Sequence, residues 1–162
     1  GIGALTPIFE DDPHQVFESI IQTNVMGVWY ITKASACHMK KHSTPGSIIM
    51  IGSVNGSTFP YKDLTAYAVS KASVIHMTKS LVCELAPYHI RINTLNLGPV
   101  QSQELGCDDK HDLAFWKDKL PAGFIANPND LDGLLLYLAS EHLSRYVTGS
   151  CFDIDGGLSW GH

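Results

Sequence analysis

The chain has 162 residues, of which 44% are hydrophobic and 17% charged, and its formal net charge is -5. This length and composition fit one globular domain with a sizeable core. Charges of both signs are interspersed, which excludes a basic stripe for nucleic acid and a polybasic membrane segment. The apolar runs are too short to span a bilayer.

The cysteines and histidines do not form the pattern of a disulfide framework or a metal centre. The four cysteines lack a C-x-x-C pair, which favours free, buried thiols in a reducing cytosol and hence a cytoplasmic protein. His38 and His42 are four residues apart, as metal ligands on a helix can be, but no carboxylate or cysteine is placed to complete a site. We therefore predict that the chain binds no metal.

The first predicted element is a long helix. A pair of aspartates and a proline at positions 11–13 indicate its start, apolar residues at helical spacing continue it, and the Pro-Gly pair at 45–46 ends it. Asn24 lies in the middle of this helix, with Gly27 close by. The pair predicts a local bend, with Asn24 as a tolerated polar residue.

The central stretch carries the residues that suggest chemistry. A continuous apolar run at 47–52 predicts a buried parallel strand, and Ser53 follows it. Tyr67 and Lys71, four residues apart, share one face of the next helix, where an ammonium group favours the phenolate. These side chains suit proton transfer to or from a carbonyl or an alcohol. Taken singly, they would be a turn hydroxyl, a core aromatic residue and a solvated lysine.

The remaining elements alternate in the manner of an α/β fold. Strands are predicted at 91–97 and 150–154, with a capped helix at 130–144 between them. The polar segment 103–121 carries interleaved aromatic residues and predicts a short amphipathic surface helix.

The segments SVNGSTFPYKDLTAYAVSK at 53–71, TNVMG at 23–27 and VTGSCFDIDGG at 147–157 together resemble the short-chain dehydrogenase/reductase family. The resemblance covers essentially the whole chain and corresponds to the C-terminal two-thirds of the family fold. It implies a three-layer α/β/α, Rossmann-like, doubly wound parallel sheet. The family's Gly-rich pyrophosphate turn has no counterpart here, so we expect residues 1–162 to be a single, N-terminally incomplete catalytic domain.

The resemblance also implies a function and a set of site residues. The expected activity is an NAD- or NADP-dependent interconversion of a secondary alcohol and a ketone, with a sugar, polyol or 3-oxoacyl substrate. In the family pattern Tyr67 is the acid/base, Lys71 lowers its pKa and binds ribose, Ser53 orients the carbonyl and Asn24 holds a relay water. The cofactor contacts would be Tyr67, Lys71, Gly98, Val100 and Ser102. The segment 103–121 would be the family's variable substrate lid, which is compatible with an amphipathic helix.

Three departures from the family pattern are visible: Gly52 replaces a usual Ser, Leu97 replaces Pro, and Ser102 replaces Thr. Two alternatives to the reductase remain open, namely a catalytically silent scaffold subunit or inactive fragment, and an epimerase or dehydratase on the same fold.

The family resemblance implies a homodimer or homotetramer, and it implies that the strand at 48–51 pairs with a strand upstream of residue 1. Because this strand edge would be open, we expect residues 1–162 either to share a particle with a separate N-terminal half or to be poorly soluble. Without the Gly-rich turn, we expect the isolated chain to bind NAD(P) weakly. The apolar residues proposed for one subunit interface are Val28, Ile31, Val74, Met77 and Leu81, and residues 158–160 are proposed for a second.

Overall fold

The computed structural model describes residues 1–9, 15–101, 116 and 118–161. The first long helical segment consists of α1 (Gln15–Ile21), a π-helical turn (Gln22–Gly27) and α2 (Val28–Lys41). The predicted bend is therefore a π-helical turn centred on Asn24. The predicted helix start at 11–13 lies outside the described residues.

A parallel sheet forms the middle of the molecule. Its strands are β1 (Gly46–Ser53), β2 (Ile90–Leu97) and β3 (Cys151–Ile154), in the order β1-β2-β3. They agree with the three predicted strands to within one residue at each end. Parallel neighbours need crossover connections, and here helices supply them: α3 (Thr65–Leu85) joins β1 to β2, and α4 (Asp132–Ala139) and α5 (Glu141–Ser144) precede β3.

The helix predicted at 130–144 is interrupted, so that prediction was wrong in part. A 3-10 turn (Pro128–Leu131) leads into α4, and Ser140 then adopts an extended conformation with φ -74° and ψ 119°. The Ser140 hydroxyl accepts the N–H of Leu143 at 3.3 Å. A side-chain cap of this kind starts a new helix and so divides the segment into α4 and α5.

The main hydrophobic core lies between α3 and one face of the sheet. It is built from the buried side chains of Met50, Val74, Leu81, Leu85, Ile90 and Ile92. Two hydroxyls, those of Thr78 on α3 and Thr94 on β2, hydrogen-bond at 2.6 Å inside it. Val74 is fully buried and Leu81 is 8% exposed. Their proposed place in a subunit interface is therefore wrong, because both face the core of their own chain.

The helix α4 covers the opposite face of the sheet. The Ser47 hydroxyl and the Arg91 guanidinium both donate to the Leu138 carbonyl, at 2.8 and 2.9 Å. A smaller apolar cluster lies beyond the carboxyl ends of the strands and contains Val54, Leu120, Ile125 and Leu158.

The cysteine prediction is only partly met. Cys37, Cys83 and Cys151 are free, but the first two are exposed, because they lie on the outer faces of α2 and α3. Cys107 lies outside the described residues. Among the helices of the described segments, none combines the length and hydrophobicity that crossing a bilayer requires.

Candidate active site

Ser53 is the last residue of β1 and is 5% exposed. Its Oγ accepts the N–H of Asn55 at 3.2 Å, where a short 3-10 turn begins. Ser53 is therefore a turn hydroxyl, but this bond uses only an acceptor lone pair, and the O–H remains available as a donor. A hydrogen bond joins the side chains of Ser53 and Tyr67, and it lowers the Tyr67 pKa. The two candidate residues are thus brought together.

The predicted depression of the Tyr67 pKa is wrong for this structure. Burial raises the pKa of the Tyr67 hydroxyl above its ordinary value of 10.0, and the Ser53 hydrogen bond offsets this only in part. The Lys71 ammonium lies 5.6 Å from the centre of the Tyr67 ring and donates to the Ile51 carbonyl at 3.1 Å. Burial lowers the pKa of Lys71 itself. At Tyr67 desolvation therefore outweighs the stabilisation of the phenolate by the Ser53 hydrogen bond.

Asn24 is 2% exposed and joins three segments of the chain. Its amide nitrogen donates to the Ile2 carbonyl at 2.8 Å and to the Ser70 hydroxyl at 3.0 Å, and its oxygen accepts the Ile2 N–H at 2.8 Å. Both amide N–H groups are thus used. A relay water at Asn24, which remains a prediction, would need the second lone pair of the amide oxygen or a backbone carbonyl.

The loop after β2 is held on both sides. The Gly98 N–H donates to the Ile154 carbonyl at 2.9 Å, and the Gln101 N–H donates to the Ala126 carbonyl at 2.8 Å. A Cβ atom at position 98 would lie 2.7 Å from the Cα of Asp155, so only glycine fits. These contacts fix the backbone of Gly98 and Val100 even though Leu97 stands where the family has proline. Ser102 lies outside the described residues.

These groups surround a cleft of about 580 Å³ at the carboxyl ends of β1 and β2. Ser53, Tyr67, Lys71, Gly98 and Val100 all line it, whereas Asn24 lies behind it, bonded to the segment around Ile2. A cleft of this size, at this end of a parallel sheet, is the usual place for a small-molecule ligand in an α/β fold.

Sequence reasoning missed several residues of the site. The described part of the cleft is also lined by Asn55, Phe59, Leu64, Gln101, Trp116 and Leu158, which come from four separated segments. Their positions have no periodicity that could have marked them in advance. Ser70, whose hydroxyl donates to the Tyr67 carbonyl at 2.7 Å, was also missed, although it directly precedes Lys71.

Fold and cleft together define an α/β domain with a Ser-Tyr-Lys group at the carboxyl edge of a parallel sheet. A family model described as enoyl-(acyl carrier protein) reductase matches residues 2–159. The chain belongs to the short-chain dehydrogenase/reductase family, which confirms the resemblance drawn from the sequence.

Individual relatives agree with this assignment. Over 152 residues the chain is 36% identical to the D-arabinitol 2-dehydrogenase (ribulose-forming) of Candida albicans strain WO-1, covering 91% of this chain and 54% of the relative. It is 34% identical over 159 residues to the NADH-dependent L-xylulose reductase of Ambrosiozyma monospora, covering 93% and 58%. The chain therefore spans little more than half the length of these curated relatives.

The fold agrees with a solved structure as well. A short-chain type dehydrogenase/reductase from Mycobacterium marinum superimposes with a TM-score of 0.90 at 36% identity. The match covers 99% of this chain and 62% of that one. The Rossmann-like α/β fold expected from the sequence is thus confirmed.

Proposed function

We propose that the chain carries the acid–base side of an NAD(P)-dependent active site that interconverts a secondary alcohol and a ketone. The observation that carries the proposal is the convergence of Ser53, Tyr67 and Lys71 on one cleft at the carboxyl ends of β1 and β2. No comparable observation favours the silent scaffold, the epimerase or the dehydratase.

The residues present fit a nicotinamide cofactor in this cleft. Lys71 lines the cleft, and its ammonium group has three donors, of which one bonds the Ile51 carbonyl, so a ribose hydroxyl has a donor available. Gly98 packs closely against Asp155 and has no side chain, so it presents only backbone atoms to the cleft. Gly98 and Val100 would contact the nicotinamide, together with Ser102 if the family pattern holds. The nicotinamide supplies or accepts the hydride.

Proton transfer falls to Tyr67. Because burial raises its pKa, the hydroxyl carries its proton at neutral pH and suits donation to an oxygen that gains negative charge. The Ser53 hydroxyl, which bonds Tyr67 in this structure, would turn its O–H towards the same substrate oxygen and so orient a carbonyl. The two hydroxyls therefore suit ketone reduction, and the reverse oxidation would need the Tyr67 proton to be removed first.

The substrate class is taken from the relatives. Their names refer to an arabinitol and a xylulose, so we propose a sugar or polyol substrate, with 3-oxoacyl compounds as the second choice. Residues 1–162 contain no G-x-G-x-x-G turn, and we propose that the pyrophosphate is held by a segment outside them. Working as one domain with that segment, the protein would act in the cytoplasm.

We also propose a homodimer or homotetramer. Tyr30 is 55% exposed and Ile31 is 71% exposed on α2, and Val69 is 45% exposed on α3. These exposed side chains supply apolar surface for a subunit interface, which Val74 and Leu81 cannot do because they are buried in their own chain. Trp160, 81% exposed, remains for the second interface, whereas Leu158 and Ser159 are buried.

The substitution Tyr67→Phe in a full-length protein tests the activity. Ring packing is kept and the acid is lost, so we expect reduction of a ketose panel with NADH or NADPH to fall by about 100-fold or more. Cofactor binding and the unfolding midpoint should remain near those of the wild type. Tyr146→Phe is the matched control and should keep full activity, because Tyr146 is 99% exposed and does not line the cleft. Retention of more than about 5% of the activity by Tyr67→Phe would overturn the assignment.

A further inference from the structure

The helix that carries Tyr67 has no polar side chain at its N-cap position and no side-chain cap hydrogen bond from that residue. Leu64 stands at the N-cap position of α3 with φ -105° and ψ 31°, and its apolar side chain cannot accept a hydrogen bond. The first turn of a helix exposes N–H groups that have no partner within the helix. One of these belongs to Ala66, which is fully buried, so water cannot satisfy it.

A residue sixty positions away supplies the missing acceptor. The Thr6 hydroxyl accepts the Ala66 N–H at 3.1 Å, and the Thr6 N–H donates to the Asp63 carbonyl at 2.6 Å. Thr6 is only 7% exposed. Asp63 adopts a left-handed conformation with φ 61°, which is uncommon for a non-glycine residue although aspartate tolerates it better than most. Thr6 therefore hydrogen-bonds the chain before the helix start, at Asp63, and just after it, at Ala66.

Tyr67 is the residue that follows Ala66. A reacting hydroxyl must be held within about 0.5 Å of its working position, and an uncapped first turn frays. We propose that Thr6 is a positioning residue for Tyr67, acting as an N-cap supplied from a distant segment. The role rests on the proposed function, since it presumes that Tyr67 is the acid. It acts through the backbone of the helix and involves no contact with the substrate.

Substitutions at Thr6 test this in the full-length protein. Thr6→Val keeps the shape and removes the acceptor, and we expect kcat to fall about five- to tenfold with KM within about twofold. Thr6→Ser keeps the hydroxyl and should restore kcat. The matched control is Thr148→Val, because Thr148 also accepts a backbone N–H at 3.1 Å, that of Ile92, at the far end of the sheet. This control should keep kcat.

Amide hydrogen exchange gives a readout that does not depend on activity. The Ala66 amide should exchange slowly in the wild type, and its exchange should accelerate in Thr6→Val but not in Thr148→Val. Rapid wild-type exchange at Ala66 would overturn the proposal even if Thr6→Val failed to fold. So would a kcat in Thr6→Val equal to that of Thr148→Val. Activity retained by Tyr67→Phe would instead refute the proposed function. Amide hydrogen exchange at Ala66 would then be the remaining test of whether Thr6 caps the helix.

Discussion

Gly52 occupies a position where the family usually has serine, and the structure gives the reason. Gly52 is paired with Asn96 across β1 and β2, and a Cβ atom at position 52 would clash with the Asn96 amide oxygen. It would also lie 2.8 Å from the Cγ2 atom of Thr94. Thr94 cannot turn away, because its hydroxyl is bonded to Thr78 at 2.6 Å. Asn96 is held in turn by Asp153, at 2.9 Å.

These contacts set the size of the effect of Gly52→Ser. Overpacking of this kind costs about 1–3 kcal/mol, and rotation of Asn96 would lose its bond to Asp153, about 1 kcal/mol more. We therefore expect the free energy of unfolding to fall by about 2–4 kcal/mol. Asn96→Ser alone should lower it by about 1 kcal/mol, because the bond to Asp153 is lost. The buried Asn96 Oδ1 has no hydrogen-bond partner among the described residues, so its removal offsets the lost packing.

The double variant is the decisive measurement. With Asn96 shortened, the serine side chain introduced at position 52 gains room, and the pair should recover about 1–2 kcal/mol relative to the sum of the single effects. Part of the cost stays, because Thr94 does not move. Urea unfolding of the full-length variants measures all four corners of the cycle. Gly133→Ser is the control, since a Cβ there meets nothing within 4 Å. Additive effects, or a neutral Gly52→Ser, would refute the reasoning.

Two further substitutions address Asp155, which packs against Gly98, and Lys71, which lines the cleft. Burial raises the pKa of Asp155, but hydrogen bonds from Ser159 and Gly157 outweigh this and hold it below its ordinary 3.8. The stability that this carboxylate contributes is present above about pH 3.8 and is lost as the pH falls through the lowered pKa. We therefore expect Asp155→Asn to lower the free energy of unfolding by about 1 kcal/mol at pH 7. The difference from the wild type should disappear in unfolding curves measured below pH 3.8. A difference that does not change with pH would contradict this. Burial lowers the pKa of Lys71, so its charge costs stability at neutral pH, and the cost is relieved as the pH rises towards 10.5. Lys71→Met should change the free energy of unfolding by no more than about 1 kcal/mol. It should nevertheless reduce kcat/KM by about 100-fold. A variant that is severely destabilised, but whose folded fraction keeps its activity, would refute the catalytic role of Lys71.

Local pattern was enough to predict several features of this chain. The apolar run at 47–52 predicted a parallel strand, and β1 forms there, but Ile51 is 44% exposed, so the predicted burial on both faces was wrong in part. The four-residue spacing of Tyr67 and Lys71 places them on one helical face, because this periodicity comes from backbone geometry alone. The polar Asn24 beside Gly27 marked the bend that the structure forms as a π-helical turn. The family assignment followed from the same motifs.

Tertiary structure alone decided the properties that depend on distant neighbours. Burial, not the nearby Lys71, sets the direction of the Tyr67 pKa, and the same burial places Val74 in the core of its own chain. Thr6 reaches α3 from sixty residues away, and Asn96 excludes a side chain at Gly52 across a strand pair. Desolvation and steric exclusion depend on which atoms lie within a few ångströms, and the separation of residues along the sequence does not encode that distance.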